Sequence, residues 1–405
     1  MKANKILSAA LAIGMTFSIA ACGTDESNKN HDSESPSGSE ITSETTSETI
    51  NDSEKGKLGI ASPVGEVYAY KDNVVKYLKA GENAKITDYY TSMDDAYSPV
   101  KIEWENTYAN VEKFVVEYSV NEDMSETETA DVDAKRNRLY VYNLLKGQKY
   151  YVRVTAKLKN GSEKIAVSEF ETTDNGPRVM KIDGIYNVRD LGGYITESGE
   201  RTKQGLFFRG GALSGSTDPA YTNIAIGDKG KKYMREVLGI KTDFDLRKAA
   251  ESLNIAESPI PNANLEYYGV NGYLSAFTES EGYRKVFAAL SDESRYPVYM
   301  HCTGGADRTG TVSFLINALV GVREADLIRD YEFTSFSKYG LRDSKGNIYQ
   351  FKEFVEKLKT YDGETLSEKT ENYMLSIGVT ETEIYNIKAI MLGKTVRTSS
   401  AANEA

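Results

Sequence analysis

The sequence predicts two folded parts, an all-β sandwich followed by an α/β domain, and three observations carry that prediction. Between 100 and 173, apolar residues alternate with polar ones at period two, in short runs separated by turn residues. From Gly176 onward the pattern changes to short apolar runs alternating with helical stretches, the signature of an α/β domain. One of those runs, Tyr296-Pro297-Val298-Tyr299-Met300-His301, leads into a glycine-rich loop and then an apolar helical stretch from Val312 to Val320. With 405 residues and 40% hydrophobic content, the chain is long enough to build two cores.

Ahead of both lies a segment that reads as an address. Lys2 and Lys5 precede an apolar stretch from Ile6 to Ile19, too short for a comfortable membrane span. Ile19-Ala20-Ala21-Cys22-Gly23 then resembles a bacterial lipoprotein signal, which implies lipid on Cys22, a membrane anchor, and a chain held on the extracytoplasmic face. Loss of residues 1–22 would take the net charge from −11 to −13. Residues 23–57 are rich in Ser, Thr, Glu and Asp without an aromatic residue, so they cannot bury enough surface to offset ordering entropy. The expected linker has an r.m.s. span of about 30 Å. The expected units are 58–175 and 176–395, with a tail at 396–405.

In the first unit, Val100, Ile102 and Trp104 alternate with polar residues, as do Phe114, Val116, Tyr118 and Val120. Leu139 and Val141 follow. Tyr150, Val152, Val154, Ala156 and Leu158 make the longest run, and Val167 and Phe170 close the series. Residues 58–95 are less clear and could add an early strand. Leu144 lies six residues before Tyr150 in Leu144-Leu145-Lys146-Gly147-Gln148-Lys149-Tyr150. That stretch resembles the E–F corner of a fibronectin type III domain, and Trp104 would be its strand-B core tryptophan. The resemblance covers about 80 residues. It names no partner for this unit, and a spacer or docking wall is the expectation.

Charge and scarce residues narrow the chemistry. A net charge of −11 argues against nucleic acid, because phosphate contacts need clustered Lys and Arg. Two cysteines and two histidines exclude zinc sites built from such clusters, and any disulfide framework beyond a Cys22–Cys302 pair. A Ser-His-Asp triad would have to use His301, since His31 lies in the low-complexity linker.

The loop Cys302-Thr303-Gly304-Gly305-Ala306-Asp307-Arg308-Thr309-Gly310 lies between a strand and a helix N-terminus. Five residues between Cys302 and Arg308 let the backbone curl so that its N–H groups converge on an anion, helped by the helix dipole. Arg308 offers a planar fork to phosphate oxygens. A thiolate is favoured beside a cation and a helix N-terminus. The pattern suits nucleophilic attack on a bound phosphoryl group and a cysteinyl-phosphate intermediate. The bland alternative is a structural cysteine in a βα turn, and the His, the two glycines and the Arg-Thr-Gly ending speak against it.

The same loop resembles that of the bacterial atypical tyrosine/serine protein phosphatases. The resemblance extends to Asn187-Val188-Arg189-Asp190-Leu191-Gly192-Gly193-Tyr194, to Leu206-Phe207-Phe208-Arg209-Gly210-Gly211-Ala212-Leu213, and to Asp245-Leu246-Arg247 with Glu251. It also takes in Asp330-Tyr331 and Ser376-Ile377-Gly378-Val379. It implies Cys302 as nucleophile, Arg308 on the phosphate, and phosphate binding by Thr303, Gly304, Gly305, Ala306, Asp307 and Arg308. It also implies Asp307 as general acid, with Asp245 and Asp190 in reserve. Thr309 would donate to the thiolate and His301 would orient the loop. Arg189, Asp190, Asp245 and Arg247 are expected to support the loop or touch the substrate, and Arg209 to brace it or add an anion contact.

Many members of that family carry Lys where this chain has Ala306, which removes a cation that phosphoinositide headgroups would use. The expected substrate is therefore a phosphorylated protein or small phosphomonoester, phosphotyrosine first, with no metal or organic cofactor. The alternatives are an inositol polyphosphate or phosphoinositide phosphatase, and a surface protein that only holds phosphorylated ligands. Elsewhere, Phe351, Phe354, Val355 and Leu358 form an inward helical stripe. Thr380 and Glu383 form a capping box. The stretches 218–230 and 271–280 read as loops, each either a lid over the site or an insertion or plain surface loop.

Overall fold

A computed structural model describes residues 55–346 and 349–397. Cys22, the signal segment, nearly all of the linker and residues 398–405 lie outside the described residues. In chain order the first unit holds β1 (Leu58–Ser62), β2 (Gly65–Val67), α1 (Asp72–Lys79), β3 (Val100–Asn106), β4 (Val111–Ser119), β5 (Glu128–Asp133), β6 (Arg138–Val141), β7 (Lys149–Leu158) and β8 (Glu163–Thr172). They form two sheets, β1-β3-β6 and β2-β8-β7-β4-β5. All pairings are antiparallel except β2 with β8.

Period two works here as expected. Tyr150, Val152, Val154, Ala156 and Leu158 of β7 are buried. The first four share one core with Ile102, Trp104, Phe114 and Val116, and the Trp104 ring sits 5.1 Å from Phe114. Val167 departs from the expected series. On β8 the even positions Phe170 and Thr172 point inward, so Val167 has the wrong parity and is exposed.

The unit is not all β. Residues 68–99 interrupt it with α1 and a 3-10 turn at Ile86–Asp88. The inner face of α1, Val74, Tyr77 and Leu78, has i, i+3, i+4 spacing. It packs with Ile86 and Ala96 against Val179, Phe333 and Phe336 of the second unit. The boundary expected at 175/176 is thus one of chain order, and this insert crosses it in space.

The second unit continues with β9 (Arg178–Val179), β10 (Arg189–Asp190), β11 (Phe207–Gly210), α2 (Asp228–Glu236), β12 (Thr242–Asp245), β13 (Asn264–Tyr267), α3 (Ser280–Leu290), β14 (Val298–His301), α4 (Asp307–Leu319), α5 (Glu324–Phe333), α6 (Phe351–Leu358), α7 (Leu366–Ser376) and α8 (Glu381–Met391). Its sheet runs β13-β12-β14-β11-β10-β9. The first four strands are parallel and the last two antiparallel. Phe207, Val298 and Met300 point into the large core built with α3, α4, α6, α7 and α8. Phe208 and Tyr299 point to the opposite face, which Ile226 and the α2 residue Met234 help to cover. With both faces covered, β11, β12 and β14 are buried throughout.

The α6 stripe faces inward as expected, and Thr380 with Glu383 forms the capping box of α8. Thr365 and Glu368 form a second box on α7. No described helix is long and apolar enough to cross a membrane.

Candidate active site

β14 ends at His301, in the middle of the parallel strands, and the chain turns through 302–306 into α4. The loop's shape follows from where its carbonyls go. His301 O accepts from Leu246 N at 2.8 Å, and Thr303 O accepts from Ala212 N at 3.0 Å. Gly304 O accepts from Asn187 Nδ2 at 3.0 Å. Gly305 O accepts from Arg209 Nη2 at 2.6 Å, and Ala306 O from Gly310 N at 2.9 Å. The carbonyls are thus held from behind, while the peptide N–H groups of Thr303, Gly304, Gly305 and Ala306 have no acceptor among the described residues. That is a cradle of donors at the mouth of a 13-residue helix. Gly305 is required there. Its φ is +65°, and a Cβ would lie 2.1 Å from Gly210 O.

His301 lies beneath the cradle, fully buried. Its Nε2 is 2.8 Å from Asp243 Oδ1 and its Nδ1 is 3.2 Å from Cys302 O. Asp245 Oδ1 is 3.7 Å from Nδ1. Burial pulls the His301 pKa down, but Asp245 and Asp243 outweigh it and leave the pKa raised. The ring stands directly behind Cys302, which is free and 5% exposed.

At the mouth, Arg308 Nη1 lies 2.8 Å from Glu251 Oε2. The two form an ion pair without the alignment of a hydrogen bond, which leaves the guanidinium directed but not locked. Asp307 Oδ1 accepts from Tyr273 Oη at 2.7 Å and from Arg342 Nε at 3.0 Å, and Oδ2 accepts from Arg342 Nη2 at 3.2 Å. Arg342 is itself fixed by the carbonyls of Tyr339 and Leu341, and its guanidinium lies 3.9 Å from the Tyr349 ring centroid. Three donors thus fix the position of the Asp307 carboxyl group. Thr309 Oγ1 is buried without a hydrogen-bond partner, so the expected donation to Cys302 is not made in this state.

The supporting residues sort by burial and partner. Arg189 Nε meets Asp330 Oδ1 at 2.9 Å. Arg209 meets the other oxygen of Asp330, so one buried carboxylate ties the strand pair β10–β11 to α5. Arg209 is a brace. Arg189 and Arg247 are fully enclosed, and Arg247 bonds Asp245 and Gly215 O; both make the supporting contacts expected of them.

The reserve acids are displaced by their surroundings. Asp190 is completely buried, with its oxygens taken by Gly192 N, Gly205 N and Arg178 Nη1. Asp245 is equally buried. Burial pushes its carboxyl up, but His301 and Arg247 outweigh that and hold it below the ordinary range, the wrong direction for a proton donor.

Tyr273, Arg342, Asp330 and Asp243 were not singled out as site residues in the sequence, although Asp330 falls within a quoted motif. Tyr273 lies in 271–280, which is a 3-10 turn at Tyr273–Phe277 that buries Tyr273. No group of three or more His, Cys, Asp or Glu side chains is arranged to hold a metal among the described residues.

The tyrosine phosphatase family matches residues 180–393, more than half of the chain and the whole of the site just described. The chain belongs to that family. It is 25% identical over 182 residues to a Cupriavidus necator protein provisionally named a tyrosine-protein phosphatase, covering 38% of this chain and 63% of that one. It is also 25% identical over 162 residues to a tyrosine-protein phosphatase of Nostoc commune, covering 32% and 54%. The chain thus spans less than two thirds of the curated relatives it matches. Among solved structures, the core catalytic domain of the PP-IP phosphatase SIW14 from S. cerevisiae, in complex with citrate, aligns at 16% identity. The TM-score is 0.28, with 46% of this chain and 94% of that chain covered, too low a likeness to bear on function.

Proposed function

We propose that the chain is a phosphomonoester hydrolase that works through a cysteinyl-phosphate on Cys302, with phosphotyrosine in a protein or peptide as substrate. The observation that carries this reading is the cradle. Its carbonyls are anchored from behind, its N–H groups are unpaired, and it places a buried cysteine between the His301 ring and a helix N-terminus. Family membership supports the reaction class, and the tyrosine-phosphatase names of the two relatives support the substrate.

In the first step Cys302 Sγ attacks phosphorus and the ester oxygen leaves with a proton from Asp307, while Arg308 and the loop N–H groups hold the equatorial oxygens. In the second, water attacks the cysteinyl-phosphate, its proton passes to the Asp307 carboxylate, and Cys302 leaves as thiolate. The hydrogen bonds from Tyr273 and Arg342 hold Asp307 in place for both proton transfers.

Two further parts of the reading concern the rest of the chain. The first unit is a fibronectin type III-like module, supported by its three- and five-stranded sheets and by Tyr150, whose Oη accepts from Leu145 N at 2.8 Å as a tyrosine corner does. Residues 1–22 are a lipoprotein signal that leaves the protein anchored through Cys22 on the extracytoplasmic face; the support is the sequence pattern.

The test is phosphate release by the reduced protein from an aryl phosphate, a phosphotyrosine peptide and an inositol polyphosphate, beside Cys302→Ser. The expected result is release from the first two and none from the variant. Release confined to the inositol substrate would replace the substrate assignment, and no release from any would leave a phospho-ligand-binding protein.

A further inference from the structure

The insert at 68–99 belongs by chain order to the first unit, yet its polar contacts converge on the back of the active site. Asp95 is buried, and its Oδ2 accepts from the Asn187 backbone N–H at 3.0 Å. The side chain of the same Asn187 donates to Gly304 O at 3.0 Å, one of the anchored carbonyls of the cradle. A carboxylate from the first unit is therefore two bonds away from the phosphate loop.

Two more contacts reach the segment that carries Arg342. Asp94 O accepts from Lys338 N at 3.2 Å. Tyr77 Oη donates to Glu332, whose Oε1 takes Ser344 N at 3.3 Å, two residues past Arg342. Arg342 N in turn donates to Ser335 Oγ at 2.7 Å.

An insert that merely filled an apolar face would not need a buried carboxylate, because burying one is costly unless it is bonded. Asp95 carries that cost. Burial pushes its carboxyl up to about 7 even though Ala96 N–H, Asn187 N–H and Arg189 pull it down. What the carboxylate gains is a fixed position for Asn187, and hence for Gly304.

We propose that the 68–99 insert is the back wall of the phosphate loop and that Asp95 is a positioning residue acting on the loop through Asn187. The first unit is on this account part of the catalytic architecture, and not a spacer. The kinetic part of the test rests on the phosphatase reading, and the exchange part does not.

The experiment compares the whole chain with Asp95→Ala and Asp95→Asn, by amide hydrogen exchange and by turnover of an aryl phosphate. In Asp95→Ala the amides of Ala212 and Gly310, which bond Thr303 O and Ala306 O, should exchange at least ~10-fold faster, while peptides from β7 and α8 keep their wild-type rates. Its kcat should fall about tenfold with KM changed less than about twofold, since small misplacements at a reacting centre cost rate. Asp95→Asn keeps one acceptor oxygen for Asn187 and should recover most of both.

Should Asp95→Ala not fold, Asp95→Ser, whose hydroxyl is too short to reach Asn187, carries the same expectations. Wild-type exchange at Ala212 and Gly310 in a folded variant would overturn the proposal, and so would acceleration by the same factor in β7 and α8. If the wild-type chain releases no phosphate, the phosphatase reading fails and the exchange measurement alone decides this one.

Discussion

The two cores of this protein are built from different materials. Inside the sandwich, Trp104, Phe114, Val152, Val154 and Phe170 pack without a charged group among them. Inside the α/β unit, Arg189, Arg209, Arg247, Asp190, Asp243, Asp245 and His301 are all at most 1% exposed. Buried ion pairs are a poor way to gain stability, because desolvation consumes most of the attraction. Here several of them bear on the backbone of 301–306, Arg209 through Gly305 O, Asp243 through His301 and Arg189 through Asn187, whose side chain holds Gly304 O. The sandwich needs only to be compact, whereas the cradle needs each peptide group aimed, and hydrogen bonds aim where apolar contacts do not.

The sharpest way to break that contrast is to remove a shared partner. Asp330→Ala would leave Arg189 and Arg209 buried without a counter-ion, and should cost about 3–5 kcal/mol in urea unfolding. A cost below about 1 kcal/mol would show that the buried network contributes little to holding the unit together.

A smaller effect comes from pH. The His301 pKa is raised in the fold, so the native state holds its proton more tightly than the unfolded chain does. That contribution is whole below the ordinary histidine value of about 6.5 and is lost as pH rises through the raised native value. Denaturation series across this window should show wild type losing its advantage over His301→Gln as pH rises, and an advantage that grew with pH would contradict the raised pKa of His301.

The smallest effect belongs to the sandwich surface. Arg153 and Glu117 form a two-point pair at 2.7 Å, part exposed, and Glu117→Ala should change stability by about 0–1 kcal/mol with no change in turnover.

The sequence made the centre of the site legible because its parts are consecutive. Strand, glycine loop and helix lie within 296–320, and the five-residue gap from Cys302 to Arg308 sets its own geometry. The capping box at Thr380 and the α6 stripe were local in the same way. What stayed hidden was distant in sequence. Arg342 reaches Asp307 across 35 residues, Tyr273 across 34, and Asp95 reaches Asn187 across 92, and no local pattern announces any of them. Helix α1 did leave a trace in the spacing of Val74, Tyr77 and Leu78, but eight residues inside a region read for strands are a weak period. Asp190 and Asp245 were reserve acids only while their burial and their arginine partners were unknown.

The most direct test of the cradle as a working site is to mix the reduced protein with an aryl phosphate, quench in acid within milliseconds, and map the peptides by mass. A phosphoryl adduct on the peptide containing Cys302, formed and lost during turnover and absent from Cys302→Ser, is the expected result. Turnover at full rate with no adduct on that peptide, or turnover that survives Cys302→Ser, would contradict a cysteinyl-phosphate mechanism.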